Sequence, residues 1–167
     1  MSDFKPISHD AIPFALDKAE RYRLLNEPAQ AESICLDVLA IEPQNQQALV
    51  MLLLSLTDQF RGGPPECFHQ AQEVLPKLHG EYERLYYGGL ILERRGQATA
   101  MQGGPGSARV AYAWVRQAMD LYEKAEHFRP LGNDDTLLRW NSCIRLCERF
   151  HLQPEPEEIF QPLLSGE

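Results

Sequence analysis

Apolar positions recur every three or four residues along nearly the whole chain, and no stretch alternates convincingly with a period of two. The pattern predicts helices and no strands. A first helix, about His9 to Leu25, carries Ile12, Ala15, Leu16, Ala19, Tyr22 and Leu25 on one stripe. Pro13 falls in its first turn, where a missing N–H costs nothing. Asn26-Glu27-Pro28 breaks it, and a second helix, about Pro28 to Ile41, sets Ala31, Ile34, Cys35, Val38 and Leu39 on one face. Glu42-Pro43 ends that helix. A third, about Asn45 to Phe60, is almost wholly apolar, the mark of a helix packed on several sides.

Arg61-Gly62-Gly63 stops the third helix and Pro64-Pro65-Glu66 starts a fourth, which carries Phe68, Ala71, Val74, Leu75 and Leu78 to about His79. A fifth, about Glu81 to Arg95, shows Leu85, Gly88, Gly89 and Leu92, with Gly96 read as its end. The glycine-rich, uncharged stretch Gln97 to Ser107 reads as a loop. A sixth helix follows, about Ala108 to Phe128, closed by Arg129-Pro130. A seventh begins after Asn133-Asp134-Asp135 and carries Leu137, Leu138, Trp140, Ile144, Cys147 and Phe150. The tail, from Pro154 to Glu167, holds one short amphipathic piece around Ile159-Phe160 and Leu163-Leu164. Seven helices with short connections, paired antiparallel, make either an α-solenoid or an irregular bundle.

Composition narrows the function classes. The chain has 167 residues, enough for one domain with a real core, and a net charge of −8. An acidic surface without clustered Lys and Arg argues against nucleic acid and against an anionic membrane surface. The longest apolar run, Ala48 to Leu56, is too short to cross a bilayer, which takes roughly 20 residues. Cys35, Cys67, Cys143 and Cys147 sit inside apolar helical stretches. That placement is expected of reduced thiols in a cytoplasmic protein. The opening MSDFKPISHD lacks the basic-then-apolar pattern of a signal peptide.

Two distant phrases then prove alike. Tyr22, Ala31 and Pro43 lie nine and then twelve residues apart, with Glu32 after the Ala and Asn26 at the helix end. Gly89, Leu92 and Gly96 on one helix, and Ala118, Tyr122, Ala125 and Pro130 on another, repeat the theme. These residues resemble the tetratricopeptide repeat, a pair of antiparallel helices about 34 residues long. In that unit a large side chain on the first helix covers a small one on the second, and a Pro turns the chain into the next unit. A weaker middle unit has Leu49, Leu52 and Leu56 on its first helix and Ala71 and Leu75 on its second, with about six extra residues around Arg61 to Pro65. The last unit carries about seventeen extra residues between its halves.

The resemblance implies an all-α, right-handed α-α superhelix of about three hairpins, residues 12–43, 46–79 and 81–130. Residues 133–151 form a C-terminal capping helix. The single domain spans 9–151, with tails at 1–8 and 152–167, the second holding a short helix. The first helix of each pair lines a concave groove in this family, which maps partner contacts onto Glu20, Arg23, Leu54, Asp58, Tyr86, Leu90, Glu93, Arg94, Asn141 and Arg145. Leu16, Val50, Thr57 and Leu137 lie on the same lining. Such a strip suits an extended peptide or a partner helix. The implied function is a non-enzymatic scaffold or adaptor without a cofactor. Exposed apolar groove residues would also support a homodimer. Repeat-type secretion chaperones, acidic and of this length, are a neighbouring expectation. The carboxylate-clamp subtype is excluded, since its Lys and Asn positions are Leu16 and Glu20 here.

Candidate chemistry is thin. Cys143, Cys147 and His151 nearly share a helix face, which would give a metal- or small-ligand-binding alternative. Spread over about 12 Å of helix, all three cannot reach one ion, and two core thiols with a surface His is the better reading. Cys67 and His69, two apart, diverge on a helix. Gly103 to Ser107 opens a helix near Arg109, Arg94 and Arg95, yet lacks the Gly-Lys-Ser/Thr ending of a nucleotide loop. No Ser/His/Asp or Cys/His/Asn set has usable spacing, so no catalytic residue is assigned.

Overall fold

In a computed structural model, described over residues 3–154, the chain forms seven α-helices packed as sequential antiparallel pairs. No strand occurs among the described residues. The expected short helix around Ile159-Phe160 and Leu163-Leu164 lies outside them. The elements are α1 (Ile12–Leu24), α2 (Pro28–Ile41), α3 (Gln46–Asp58), α4 (Cys67–Val74), α5 (Glu81–Gln102), α6 (Ser107–Glu126) and α7 (Asp135–Phe150). A 3-10 turn, His9–Ala11, leads into α1, and another, Leu75–Lys77, continues α4. None of the described helices is long and apolar enough to cross a membrane.

Local chemistry explains the boundaries. After α1, Asn26 takes a left-handed φ of 60°, and the Glu27 N–H donates back to the Tyr22 carbonyl at 2.8 Å. Asn is among the few residues other than Gly that tolerate this conformation. The Asn45 side chain caps α3 by accepting from the Ala48 N–H at 2.9 Å. Helix α3 buries eight of its residues and touches α1, α2, α4 and α5, as its unbroken apolar run requires.

Two expectations are corrected. Gly96 does not end the fifth helix, and Gln97 to Gln102 is not a loop: α5 runs on for 22 residues, stopping at Gly103 with φ 70°. Gly96 is instead a contact residue. A Cβ there would stand 2.7 Å from Val115 Cγ2 and 3.1 Å from the Ala111 carbonyl oxygen on α6. The stretch that follows, Gln-Ala-Thr-Ala-Met-Gln, forms helix readily once a long partner covers it. The extra residues therefore lengthen both α5 and α6 and leave only Gly103 to Gly106 as the turn. These two helices form the longest pair in the molecule, about 30 Å along the axis.

The second correction concerns α7. Its buried side chains are Thr136, Cys143 and Leu146, with Arg139 and Ser142 half-buried, whereas Leu138 is 65% exposed and Leu137 and Ile144 are exposed to a lesser degree. Trp140, Cys147 and Phe150 of the expected set do pack on the core, while the most buried stripe beside them contains a charge.

Burial is organised in three clusters. The largest packs Leu49, Leu53 and Leu56 of α3 against Ala19, Ala31, Cys35 and Ile91. The second joins Val115, Ala118 and Tyr122 of α6 to Cys143 and Leu146 of α7. A small third cluster, around Ile12, Leu16, Val38 and Ala48, seals the N-terminal end. Helix α1 lies against α3, α3 against α5, and α5 against α7.

Candidate functional site

That row of odd-numbered helices brings together three of the residues assigned from the sequence. Arg23 ends α1, Asp58 ends α3 and Arg94 lies on α5. Arg23 Nε donates to Asp58 Oδ2 at 2.8 Å, and Arg94 approaches Asp58 Oδ1 at 3.6 Å. Arg23 and Asp58 side chains are each 20% exposed, so the pair is half-sheltered but reachable from solvent. One carboxylate thus bridges cations from two flanking helices and ties three separate hairpins at a single point. Beside it, Thr57, Phe60, Arg61 and Met101 line a cavity of about 220 Å³ that also takes in Asp58 and Arg94.

Glu93, one residue before Arg94, points the other way. Successive helical residues diverge by about 100°, so Arg94 meets α3 while Glu93 turns into the α5–α6–α7 core, only 5% exposed. The Tyr122 hydroxyl donates to Glu93 Oε2 at 2.6 Å. Arg139 lies 3.5 Å from Oε1, and the Ser142 hydroxyl donates to the same oxygen at 3.3 Å. Arg139 Nε also donates to the Tyr86 hydroxyl at 3.5 Å. Burial, reinforced by the Glu93 carboxylate, pushes the Tyr122 phenol far above its ordinary range. For Arg139, burial opposes the charge. The bond to Tyr86 and the Glu93 carboxylate outweigh it, and the net shift is upward. Tyr122 therefore stays a hydroxyl and Arg139 stays charged. The group joins α5, α6 and α7 through one shared carboxylate, a pin that seats α7 on the other two helices.

The other assigned residues separate. Leu90 is buried, as is Leu16, and neither offers surface to a partner. Leu54 is half-buried, as is Tyr86, which stacks on Tyr82 with centroids 5.7 Å apart. Glu20, Asn141 and Arg145 are exposed. No hydrogen bond or ion pair among the described residues joins these three to the Asp58 group. The sequence reading missed Arg139 and Ser142. The available signal was the spacing Thr136, Arg139, Cys143, Leu146, an inward stripe with one cation in it.

The cysteine alternatives lose their geometry. Cys143 is fully buried, whereas His151 is exposed in a left-handed cap with φ 51°. No set of three His, Cys, Asp or Glu side chains among the described residues could hold a metal ion. Burial pushes the Cys35 thiol from 9.0 up to about 12, and raises Cys67, Cys143 and Cys147 as well. At pH 8 the Cys35 thiolate is about a thousand-fold rarer than that of a free cysteine. A short iodoacetamide pulse on native protein should therefore label half-buried Cys147 first and leave Cys35 and Cys143 untouched, with all four labelled in urea. Peptide mass mapping reads this directly, and early labelling of Cys35 would mean that α2 opens.

Of the three arginines placed near the glycine turn, Arg109 lines a cavity with Gly106 and Arg116, whereas Arg94 and Arg95 do not. Gly103, Gly104 and Gly106 all have positive φ, and a Cβ added at any of them would meet nothing within 4 Å. Arg94 and Arg95 line cavities beside the turn after α3. No family model, no curated protein and no solved structure matches this chain.

Proposed function

We propose that the protein is a non-enzymatic adaptor built as a right-handed superhelix of three tetratricopeptide-like hairpins with α7 as cap. In this reading it holds a segment of another protein across the face made by α1, α3, α5 and α7. The observation that carries it is the meeting of Arg23, Asp58 and Arg94, one from each leading helix of three successive pairs, on one solvent-reachable face. Stacked repeats place equivalent helices side by side in this way. The left-handed Asn26 at the end of α1 supports the reading. So does the fit of Tyr122 onto Gly89, a large residue over a small one. Half-exposed Leu54 and the charged trio supply what an extended segment needs, an apolar rest and fixed hydrogen-bonding groups.

The test is affinity capture from the native host, comparing wild type with the double variant Leu54→Ala/Arg94→Ala and with Lys124→Ala on the exposed side of α6. The double variant should lose captured partner by about fivefold or more, the effect of removing a contact worth about 1 kcal/mol. Lys124→Ala should lose none. Undiminished capture by a double variant with normal helicity would reject this face.

A further inference from the structure

A second cleft lies between the turn after α3 and the C-terminal half of α5. Phe60, Arg61 and Gly63 form one wall and Arg95, Ala98 and Met101 the other, around a cavity of about 420 Å³. No carboxylate lines it. Among the described residues neither Arg61 nor Arg95 makes an ion pair. Arg95 Nε is buried and finds no hydrogen-bond acceptor. A buried cationic N–H without an acceptor is costly, and native folds keep few of them.

The same arginine is held firmly. Its guanidinium carbon sits 5.1 Å from the centre of the Phe68 ring. That ring meets Phe60 and Trp114 edge-on, each at 5.6 Å. Cation–π contact thus fixes Arg95 with its Nε sealed in, and no hydrogen bond or ion pair among the described residues uses the terminal nitrogens of its guanidinium. Asp58 belongs to the adjoining cavity and is already shared by Arg23 and Arg94. The cleft is therefore a cationic spot on a chain of net charge −8. Its flanks, Phe60, Ala98 and Met101, are apolar, and Met101 is 40% exposed.

We propose that this cleft takes a carboxylate carried by an apolar-flanked peptide segment of a protein partner. Arg61 and Arg95 receive the carboxylate, and Phe60 and Met101 receive the neighbouring apolar side chain. Arginine donors match a carboxylate in two-point geometry. A bare inorganic anion would leave the apolar walls wet, which favours a peptide. The proposal rests on the adaptor reading and deepens it. On that reading both walls are surplus to the repeat: the lengthened turn after α3 and the lengthened α5. Two separate additions would then build one site.

The test uses three tripeptides. Acetyl-Leu-Glu-Phe-amide carries a side-chain carboxylate only, acetyl-Leu-Gln-Phe with a free C-terminus carries a terminal one only, and acetyl-Leu-Gln-Phe-amide carries none. Arginine Nε–H signals are followed by NMR on the full chain, with inorganic phosphate as a fourth arm. A saturable shift of the Arg95 signal is expected with at least one carboxylate peptide, at least tenfold tighter than with the neutral one. Which carboxylate peptide binds separates a side-chain source from a chain end. Arg61→Gln and Arg95→Gln should each weaken binding by about tenfold, and exposed Arg149→Gln should not. Arg61 is itself exposed, so its variant keeps the test sound even if Arg95→Gln disturbs the aromatic stack. Equal binding of the neutral peptide overturns the proposal, as does a response to phosphate alone or no saturable shift at all. If both Gln variants capture the partner as wild type does while Leu54→Ala/Arg94→Ala does not, the adaptor reading stands and the cleft assignment falls.

Discussion

Glu93→Ala should lower the unfolding free energy by about 3–5 kcal/mol, the range for removing one partner of a buried charge pair. The loss comes less from the missing attraction than from what stays behind. Arg139 keeps its charge, its side chain only 32% exposed, and the fully buried Tyr122 hydroxyl loses its 2.6 Å acceptor. Glu93→Gln keeps an acceptor for Tyr122 but not the charge, and should fall between the two. The pin joins α5 and α6 to α7, so damage should appear first at α7. Limited proteolysis should cut the segment between α6 and α7 in Glu93→Ala before it cuts elsewhere. Urea denaturation supplies the magnitude, with exposed Glu123→Ala on α6 expected within about 0.5 kcal/mol of wild type. A loss below about 1 kcal/mol for Glu93→Ala would show that the carboxylate is not carrying the junction.

Gly89→Ala is the second large effect, and its sign runs against helix propensity. In an open helix the change would stabilise by about 1 kcal/mol. Here the new Cβ would stand 2.6, 2.8 and 3.0 Å from three atoms of the Tyr122 ring. That ring is fully buried and tied to Glu93, so it cannot yield cheaply. Overpacking of this kind costs about 1–3 kcal/mol, and the net outcome should be destabilisation. A double-mutant cycle with Tyr122→Leu isolates the clash, since Gly89→Ala should become favourable once the ring is gone. If Gly89→Ala stabilises the wild-type background, the close approach of α5 and α6 is looser than these distances state.

Helix positions were legible because their signals are local. Pro13, Asn26, Asn45 and the apolar run of α3 each act within one turn of where they stand. Gly96 misled for the same reason. The residue is equally suited to ending a helix and to letting another helix approach, and only Ala111 and Val115, fifteen and nineteen residues on, decide between the two. The inward face of α7 was hidden by its own composition. Leu137, Leu138 and Ile144 outnumber the apolar residues of the buried stripe, and Arg139 belongs inside only because Glu93 is there to meet it. Facing stripes could have disclosed this. Tyr86, Gly89, Glu93 and Gly96 step along α5 by three, four and three residues, and Thr136, Arg139, Cys143 and Leu146 step identically along α7. One opposite charge sits in each. The candidate face was partly legible, since Arg23, Asp58 and Arg94 do meet, but the row alone could not say that Glu93 and Leu90 turn inward.

The turn between α5 and α6 is shaped by left-handed glycines and its own hydrogen bonds. Gly103, Gly104 and Gly106 adopt positive φ, yet nothing lies within 4 Å of where their side chains would be. What holds the bend is local, the Ser107 hydroxyl donating to the Gly104 carbonyl at 2.9 Å and the Gly103 N–H to the Thr99 carbonyl at 3.3 Å. Helices α5 and α6 are registered along their length by Gly89, Gly96 and Tyr122, well below it. The tip is therefore the natural opening in the chain's connectivity, where new termini or a spliced reporter domain would leave the packed pair to find its own alignment.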